Sequence, residues 1–70
     1  MKLQLDDKVR RRPGYHNRSE FNGKIGKVVW VESHSTAADA TFRVSVEFDG
    51  GARLNGVYAS EFDLVERGEG

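Results

Sequence analysis

The most regular pattern in the chain is a strict alternation of apolar and polar residues over positions 42–48. Phe42, Val44, Val46 and Phe48 are apolar, and the three residues between them are polar. Because successive side chains of a β-strand point to opposite faces, a period of two places all four apolar side chains on one face. The pattern therefore predicts an antiparallel strand with one buried face.

A second apolar stretch, at positions 24–32, is rich in β-branched residues and predicts another strand. It contains Gly26, and a glycine inside a strand marks a bulge, a bend or the close approach of another backbone. We expect Gly26 to let this strand curl and serve both sheets of a small barrel, and a bulge near Gly26 and Lys27 could change which residues after it face inward. The inward face beyond the bulge stays open, because apolar residues occupy both parities.

The sequence before this stretch predicts a short strand and a long loop. Residues 7–12 form the strand, which Pro13 and Gly14 end in a turn. Residues 15–22 show neither a helical nor a strand period, so we expect a loop, where binding residues tend to lie. Small polar residues and alanines at positions 33–41 predict a further loop.

The sequence after the alternating strand predicts a hairpin and a short closing strand. Residues 49–51 supply the glycines that a tight hairpin needs at positive φ. Residues 52–58 return as a fourth strand, which Gly56 weakens or bends. Residues 59–62 predict one helical turn, and residues 63–66 predict the closing strand.

Five short strands with turn signals at a spacing of about 8–12 residues indicate a small barrel or sandwich. The connections run in the order long loop, middle loop, tight hairpin and helical turn. We therefore predict an all-β, five-stranded SH3-like barrel with one short helical turn before the last strand. It forms a single domain over residues 1–70 with a core at about 7–66, while residues 1–6 and 67–70 are flexible or at an edge. The initiating Met1 and the full barrel favour a stand-alone protein.

Three segments, at positions 7–10, 21–29 and 44–49, resemble the KOW motif and its flanking strands. KOW domains are SH3-like barrels found in ribosomal proteins and transcription elongation factors. The resemblance spans roughly residues 7–66. It implies a non-catalytic module that binds RNA, a ribosome or polymerase surface, or a protein partner.

By position in the motif, Gly26 matches the central glycine, and Lys24 and Lys27 match the basic residues that flank it. The chain resembles Tudor-type barrels and the small SH3-like proteins of bacteria and phages less closely. In Tudor-like barrels, rings gathered at one end hold a methylated cation by cation–π attraction. The rings that could do so here are Tyr15, Phe21, Trp30 and Tyr58.

The formal net charge is zero, but the two halves of the chain differ in sign. Through Trp30 there are eight basic and three acidic residues, and from Val31 onward there are three basic and eight acidic residues. This asymmetry fits a polyanion-binding face or a partner of matching polarity. Equally, folding can mix the two halves and cancel most of the difference.

The cations of the first half alternate with aromatic and imidazole rings. Such a mixture binds single-stranded nucleic acid, with cations on phosphates and rings stacked on bases. We therefore predict a module that contacts RNA or DNA, or a nucleoprotein machine of transcription or translation. The predicted surface consists of Arg10, Arg11, Arg12, Tyr15, His16, Arg18, Lys24, Lys27 and Trp30.

Other interpretations of these residues stay open. Arg10 and Arg12 also fit as solubilising charges on one strand face with Tyr15 covering the barrel end, and Trp30 either contacts a partner or caps the core. Since arginine pairs with carboxylates, the patch also fits an acidic protein. The chain is then a protein–protein adaptor or phage accessory protein that acts through loops or a strand edge. A homodimer joining the basic half of one copy to the acidic half of another is a third alternative, and we expect a monomer instead.

The composition excludes several kinds of site. The chain has no cysteine, so a disulfide, a four-thiolate zinc site and a thiol nucleophile are excluded. His16 and His34 are too few for a common zinc site, and no nucleophile elbow or phosphate loop occurs. We therefore expect that the chain is not an enzyme and that it binds neither a metal nor a cofactor. No apolar run approaches the ~20 residues of a membrane span or forms a signal-peptide core, so we expect a cytoplasmic protein without membrane contact.

Overall fold

The computed structural model describes residues 3–32 and 42–68, which form five antiparallel strands and three 3-10 turns. The strands are β1 (Lys8–Arg11), β2 (Ile25–Val31), β3 (Arg43–Phe48), β4 (Arg53–Tyr58) and β5 (Phe62–Glu66). They form one sheet in the order β4-β3-β2-β1-β5, so that β4 and β5 are the edge strands and, within the described residues, do not pair with each other. The predicted all-β class with five strands is confirmed.

The predicted hairpin and helical turn are both present as 3-10 turns. Asp49–Gly51 joins β3 to β4, and its two glycines both have a φ of 88°. Ala59–Glu61 precedes β5, where the sequence predicts one helical turn. The third 3-10 turn, Ser19–Phe21, lies in the loop between β1 and β2.

The loop predicted at positions 33–41, which includes His34, lies outside the described residues. Within residues 3–32 and 42–68, no helix is long and apolar enough to cross a membrane.

The buried core lies on one face of the sheet, which is called the inner face below. Phe42, Val44, Val46 and Phe48 are all buried, which confirms the alternation in β3. Further core residues come from the other strands, two of the turns and the N-terminal segment: Leu3, Val9, Phe21, Val28, Leu54, Ala59 and Phe62. The opposite side of the sheet, the outer face, carries most of the charged side chains.

The bulge in β2 is at Val29, beyond the position that the sequence predicts. Val28 and Trp30 lie opposite consecutive residues of β3, which leaves Val29 without a counterpart. A bulge does change the parity of β2, but it is not at Gly26 or Lys27, because both residues are in regular register with β1 and β3. The extra residue places Trp30 on the same outer face as Lys27.

Gly26 instead allows β3 to approach β2 closely. A Cβ atom at this position would lie 2.7 Å from Glu47 O and 2.7 Å from Val46 Cγ1. Non-bonded carbon contacts are optimal at about 3.5–4.0 Å, so no larger residue fits here without movement of β3. The close approach of another backbone, one of the roles expected for Gly26, is confirmed.

A second bulge lies in β4, where Asn55 and Gly56 both lie opposite Ser45 of β3. Gly56 has a φ of 62°, which confirms that this glycine bends the strand. Its backbone N–H donates a hydrogen bond to Ser45 Oγ over 3.2 Å. Ser45 is only 6% exposed although it lies on the outer face. Neighbouring groups therefore cover Ser45 on this face of the sheet.

The buried carboxylate of Asp7 fastens both ends of the described chain to the sheet. It is 0% exposed and accepts hydrogen bonds from the Gln4 backbone N–H (2.8 Å), the Arg67 Nη1 (2.7 Å) and the Gly68 backbone N–H (2.7 Å). Leu3 belongs to the core as well. The packed part of the domain thus extends on both sides of the predicted core at 7–66.

Candidate binding surface

Arg11, one of the predicted surface residues, lies inside the domain. It is 2% exposed, because the alternation of β1 turns Val9 and Arg11 inward and Lys8 and Arg10 outward. The Arg11 Nε and Nη2 both donate to Glu61 Oε1, over 3.2 Å and 2.9 Å. Arg11 is therefore not available to a partner, and its role is to hold other parts of the chain.

The guanidinium of Arg11 organises the loop between β1 and β2. Its Nη1 donates to the backbone carbonyl of Arg18 and to Asn22 Oδ1, and its Cζ lies 4.7 Å from the centre of the Tyr15 ring. Asn22 Nδ2 donates in turn to the carbonyl of Tyr15 over 2.9 Å. Tyr15 is half-buried in this arrangement, as expected for a ring that covers one end of the fold.

Arg18 adopts a left-handed backbone conformation, with φ 55° and ψ 46°. A residue with a side chain pays about 1–2 kcal/mol for this conformation, so the surrounding contacts must hold it in place. The hydrogen bond from Arg11 to the Arg18 carbonyl supplies such a contact. Next to it, Phe21 anchors the loop in the core, with its ring 4.7 Å from that of Phe48. The loop is thus preorganised.

Folding pairs the basic first half of the chain with its acidic second half. β1 lies beside β5, and three ion pairs join residues of these two halves: Lys8–Glu66 (3.7 Å), Arg11–Glu61 (2.9 Å) and Arg12–Asp63 (2.9 Å). In a fourth pair, the basic residue Arg67 belongs to the second half of the chain and the acidic residue Asp7 to the first. Folding therefore pairs three of the eight basic residues of the first half with the acidic second half and cancels part of the charge asymmetry.

Three predicted cations stay exposed and have no ion pair among the described residues. These unpaired cations are Arg10, Arg18 and Lys24. All three adjoin Arg11: Arg10 precedes it in β1, the Arg18 carbonyl accepts from its side chain, and the Lys24 carbonyl accepts from its backbone N–H over 3.0 Å. His16 is also exposed and lies, like Arg18, in the loop between β1 and β2. The backbones of the three unpaired cations thus lie next to Arg11, at one end of β1.

The other predicted residues lie apart from this group. Arg12 is exposed but paired with Asp63. Lys27 is exposed in the middle of β2, with its Nζ 3.9 Å from Asp6 Oδ1. Trp30 is exposed near the far end of β2, about 20 Å along the strand from Lys24.

Lys8 is a cation of this surface that the sequence interpretation missed. It is exposed on β1 directly opposite Lys27 of β2. The signal that could have found it is parity: once Val9 is assigned inward, Lys8 and Arg10 must point outward and Arg11 inward. The run of three arginines, read as a uniform basic patch, hid this alternation.

In the part of the chain that the structure describes, no group of three or more His, Asp or Glu side chains is arranged to hold a metal ion. Every buried side-chain nitrogen or oxygen in that part has a hydrogen-bond partner. The polar interior is thus fully engaged in holding the fold and the loop, and the chemistry open to a partner lies on the surface.

Comparisons with known proteins identify no relative for this chain. No protein-family model matches it, and searches of curated proteins and of solved structures found no significant match. The KOW resemblance therefore depends on the residues of this chain alone and stays a proposal.

Proposed function

We propose that this chain is a small non-catalytic binding module that contacts RNA or DNA, alone or within a nucleoprotein machine of transcription or translation. The proposal includes closure of the five strands into an SH3-like barrel. The observation that carries it is the group of three unpaired cations around a loop that buried Arg11 holds in place. The KOW resemblance points to the same function.

The mechanism is neutralisation of backbone phosphates by the unpaired cations. Arginine offers a planar fork of donors that matches a phosphate, and lysine adds a compact charge. A loop that is already ordered loses little conformational entropy on binding. Cations already paired with carboxylates contribute less, because a carboxylate must first be displaced. The same pairing within one chain reduces the charge contrast that would join two copies, so we propose a monomer.

A protein–protein adaptor is the second candidate, and the open sheet favours it. β4 and β5 are both edge strands, and an edge presents backbone N–H and C=O groups that an extended peptide can pair with. This candidate predicts binding that survives removal of nucleic acid and depends weakly on salt.

The salt dependence of binding tests the role of each unpaired cation. For a single-stranded oligonucleotide, each phosphate contact contributes about −0.7 to the slope of log K against log salt concentration. Replacing Arg10, Arg18 or Lys24 singly by alanine should reduce the magnitude of that slope by about 0.7. The measurement is fluorescence anisotropy of a labelled oligonucleotide at several salt concentrations.

Arg53→Ala is the matched control for these variants. Arg53 is also an exposed cation, but it lies on edge strand β4 and pairs with Glu47 at 3.7 Å. Its removal should leave the slope unchanged. If Arg53→Ala lowers the slope as much as the three test variants do, binding follows overall charge and the assigned site is wrong.

A further inference from the structure

Two aromatic rings stand exposed on the outer face of the sheet, on either side of β3. Trp30 of β2 is 46% exposed and lies opposite Ser45. Tyr58 of β4 is 47% exposed and lies opposite Arg43. Since Arg43 and Ser45 are two residues apart on β3, all four side chains belong to the same face. We call these four residues the aromatic platform.

The residues between the two rings are small. Ser45 is 6% exposed, so neighbouring groups cover most of it, and Gly56, which faces it from β4, has no side chain. Trp30 and Tyr58 are two strand spacings apart across the sheet and two residues apart along it, so their backbones are about 12 Å apart. Each ring therefore offers a separate stacking surface, with no large side chain at Ser45 or Gly56 between them.

A cation accompanies the rings. The guanidinium carbon of Arg43 lies 5.3 Å from the centre of the Tyr58 ring, within the range of a cation–π contact. The guanidinium lies over one face of the ring, so a base would stack on the opposite face, with its phosphate near this cation. Stacking on such a ring is tolerant of base identity, because every base has a π face.

Two lysines lie between the aromatic platform and the unpaired cations at the other end of β2. They are Lys27 on the outer face of β2 and Lys8, which lies opposite it on β1. Like charges that face each other across two strands disfavour the pairing. Each lysine also has a carboxylate directly opposite on its other neighbouring strand, Glu47 for Lys27 and Glu66 for Lys8. The ion pairs Lys8–Glu66 at 3.7 Å and Lys27–Asp6 at 3.9 Å are longer than a hydrogen bond, so a phosphate between the two lysines competes with these carboxylates for both ammonium groups.

We infer that unpaired bases of a single-stranded nucleic acid stack on Trp30 and Tyr58 while its backbone follows Lys27 and Lys8 toward the unpaired cations. This inference rests on the proposed function and adds to it the class of ligand, single strands rather than duplexes. A duplex keeps its base faces stacked inside the helix, so it can use the cations but not the rings. Arg43 and Tyr58 become binding residues together with Trp30.

Trp30 is the only tryptophan of the chain, so its fluorescence reports on its own surroundings. The full chain is titrated with oligothymidylate of about 12 nucleotides, within the usual site size of a single-strand-binding fold. An abasic strand of the same length and a duplex of the same length serve as matched ligands. We expect oligothymidylate to quench Trp30 and the abasic strand to leave its fluorescence unchanged.

Tyr58→Leu removes one stacking ring while keeping an apolar side chain. It should weaken binding of oligothymidylate by about 5- to 150-fold, the fold-change that corresponds to the loss of one stacked base. Affinity for the abasic strand should not change. Val65→Ala, which truncates an exposed apolar residue on β5 at the opposite edge, is the control and should leave both affinities unchanged.

The failures of the two proposals are distinguishable. Equal affinity for all three ligands without quenching, but with a steep salt dependence, overturns the aromatic platform and leaves the proposed function standing. Failure of every nucleic acid to bind at low salt overturns both. Binding of a polyglutamate probe with the same quenching as oligothymidylate also contradicts the inference and assigns the face to an acidic protein.

Discussion

Replacing Asp7 by alanine should lower the free energy of unfolding by about 3–5 kcal/mol, because its carboxylate accepts three hydrogen bonds and a hydrogen bond to a charged group contributes about 1.5–3 kcal/mol. The carboxylate is fully buried and accepts from Gln4, Arg67 and Gly68. Its loss leaves two backbone N–H groups without their acceptor and separates both ends of the described chain from the sheet. The free energy of unfolding of a domain of this length is only about 4–10 kcal/mol, so a large fraction of the Asp7→Ala molecules should be unfolded.

Urea denaturation followed by the fluorescence of Trp30 measures this effect. Asp63→Asn is the control, because Asp63 also pairs with an arginine but is exposed, and an exposed pair contributes about 0–1 kcal/mol. If Asp7→Ala and Asp63→Asn unfold at the same urea concentration, the described hydrogen bonds of Asp7 do not stabilise the domain.

Replacing Arg11 by alanine should lower the free energy of unfolding by about 3 kcal/mol or more and should also weaken nucleic-acid binding. The substitution leaves the Glu61 carboxylate without its partner and removes the donors that hold Arg18 and Asn22. The loop then loses its order, and the unpaired cations lose their fixed positions. Arg11→Lys should recover only part of the stability, since an ammonium cannot reproduce the planar fork of donors.

The neighbouring arginine supplies the matched control. Arg10→Ala removes the same side chain from the adjacent, exposed position, so it should change the stability by less than about 0.5 kcal/mol. It should nevertheless weaken binding, because Arg10 is one of the unpaired cations. The two variants thus separate a residue that positions the loop from a residue that contacts the ligand. Equal stability of Arg10→Ala and Arg11→Ala would contradict the assignment of Arg11 to the interior.

The features predicted correctly from the sequence are those that local patterns determine. The alternation in β3 and the glycines after it follow from the side-chain period and from the φ angles that a tight turn needs. Both were found as predicted, at Arg43–Phe48 and Asp49–Gly51. The helical turn before β5 is equally local.

The features that sequence interpretation missed depend on partners far along the chain. The alternation of β1 turns Arg11 inward, but the carboxylate that pairs with its buried guanidinium belongs to Glu61, fifty residues away, and no residue near Arg11 in the sequence indicates that partner. The position of the bulge at Val29 follows from the register between β2 and β3. A long-range pairing also explains why Gly68, which lies in the segment predicted to be flexible or at an edge, donates a hydrogen bond to Asp7.

The candidate surface also divides into features that local patterns predict and features that depend on distant parts of the chain. Arg10, Arg18 and Lys24 are exposed as predicted, whereas Arg12 is paired with Asp63 across two strands that are distant in sequence. Tyr58 was grouped with Trp30 only among the four rings that could hold a methylated cation, and Arg43 was not predicted, because only the pairing of β2, β3 and β4 places the three on one face.

The most direct test of nucleic-acid binding is a pull-down from bacterial lysate with the immobilised full chain, run with and without nuclease. The captured material is analysed by nucleic-acid staining and mass spectrometry. We predict that the chain retains RNA or DNA, that nuclease removes this material together with the proteins attached to it, and that the Arg10→Ala, Arg18→Ala, Lys24→Ala triple variant retains little. Retention of one protein at stoichiometric yield after nuclease, with no nucleic acid in the untreated sample, would contradict the proposed function and establish the adaptor instead.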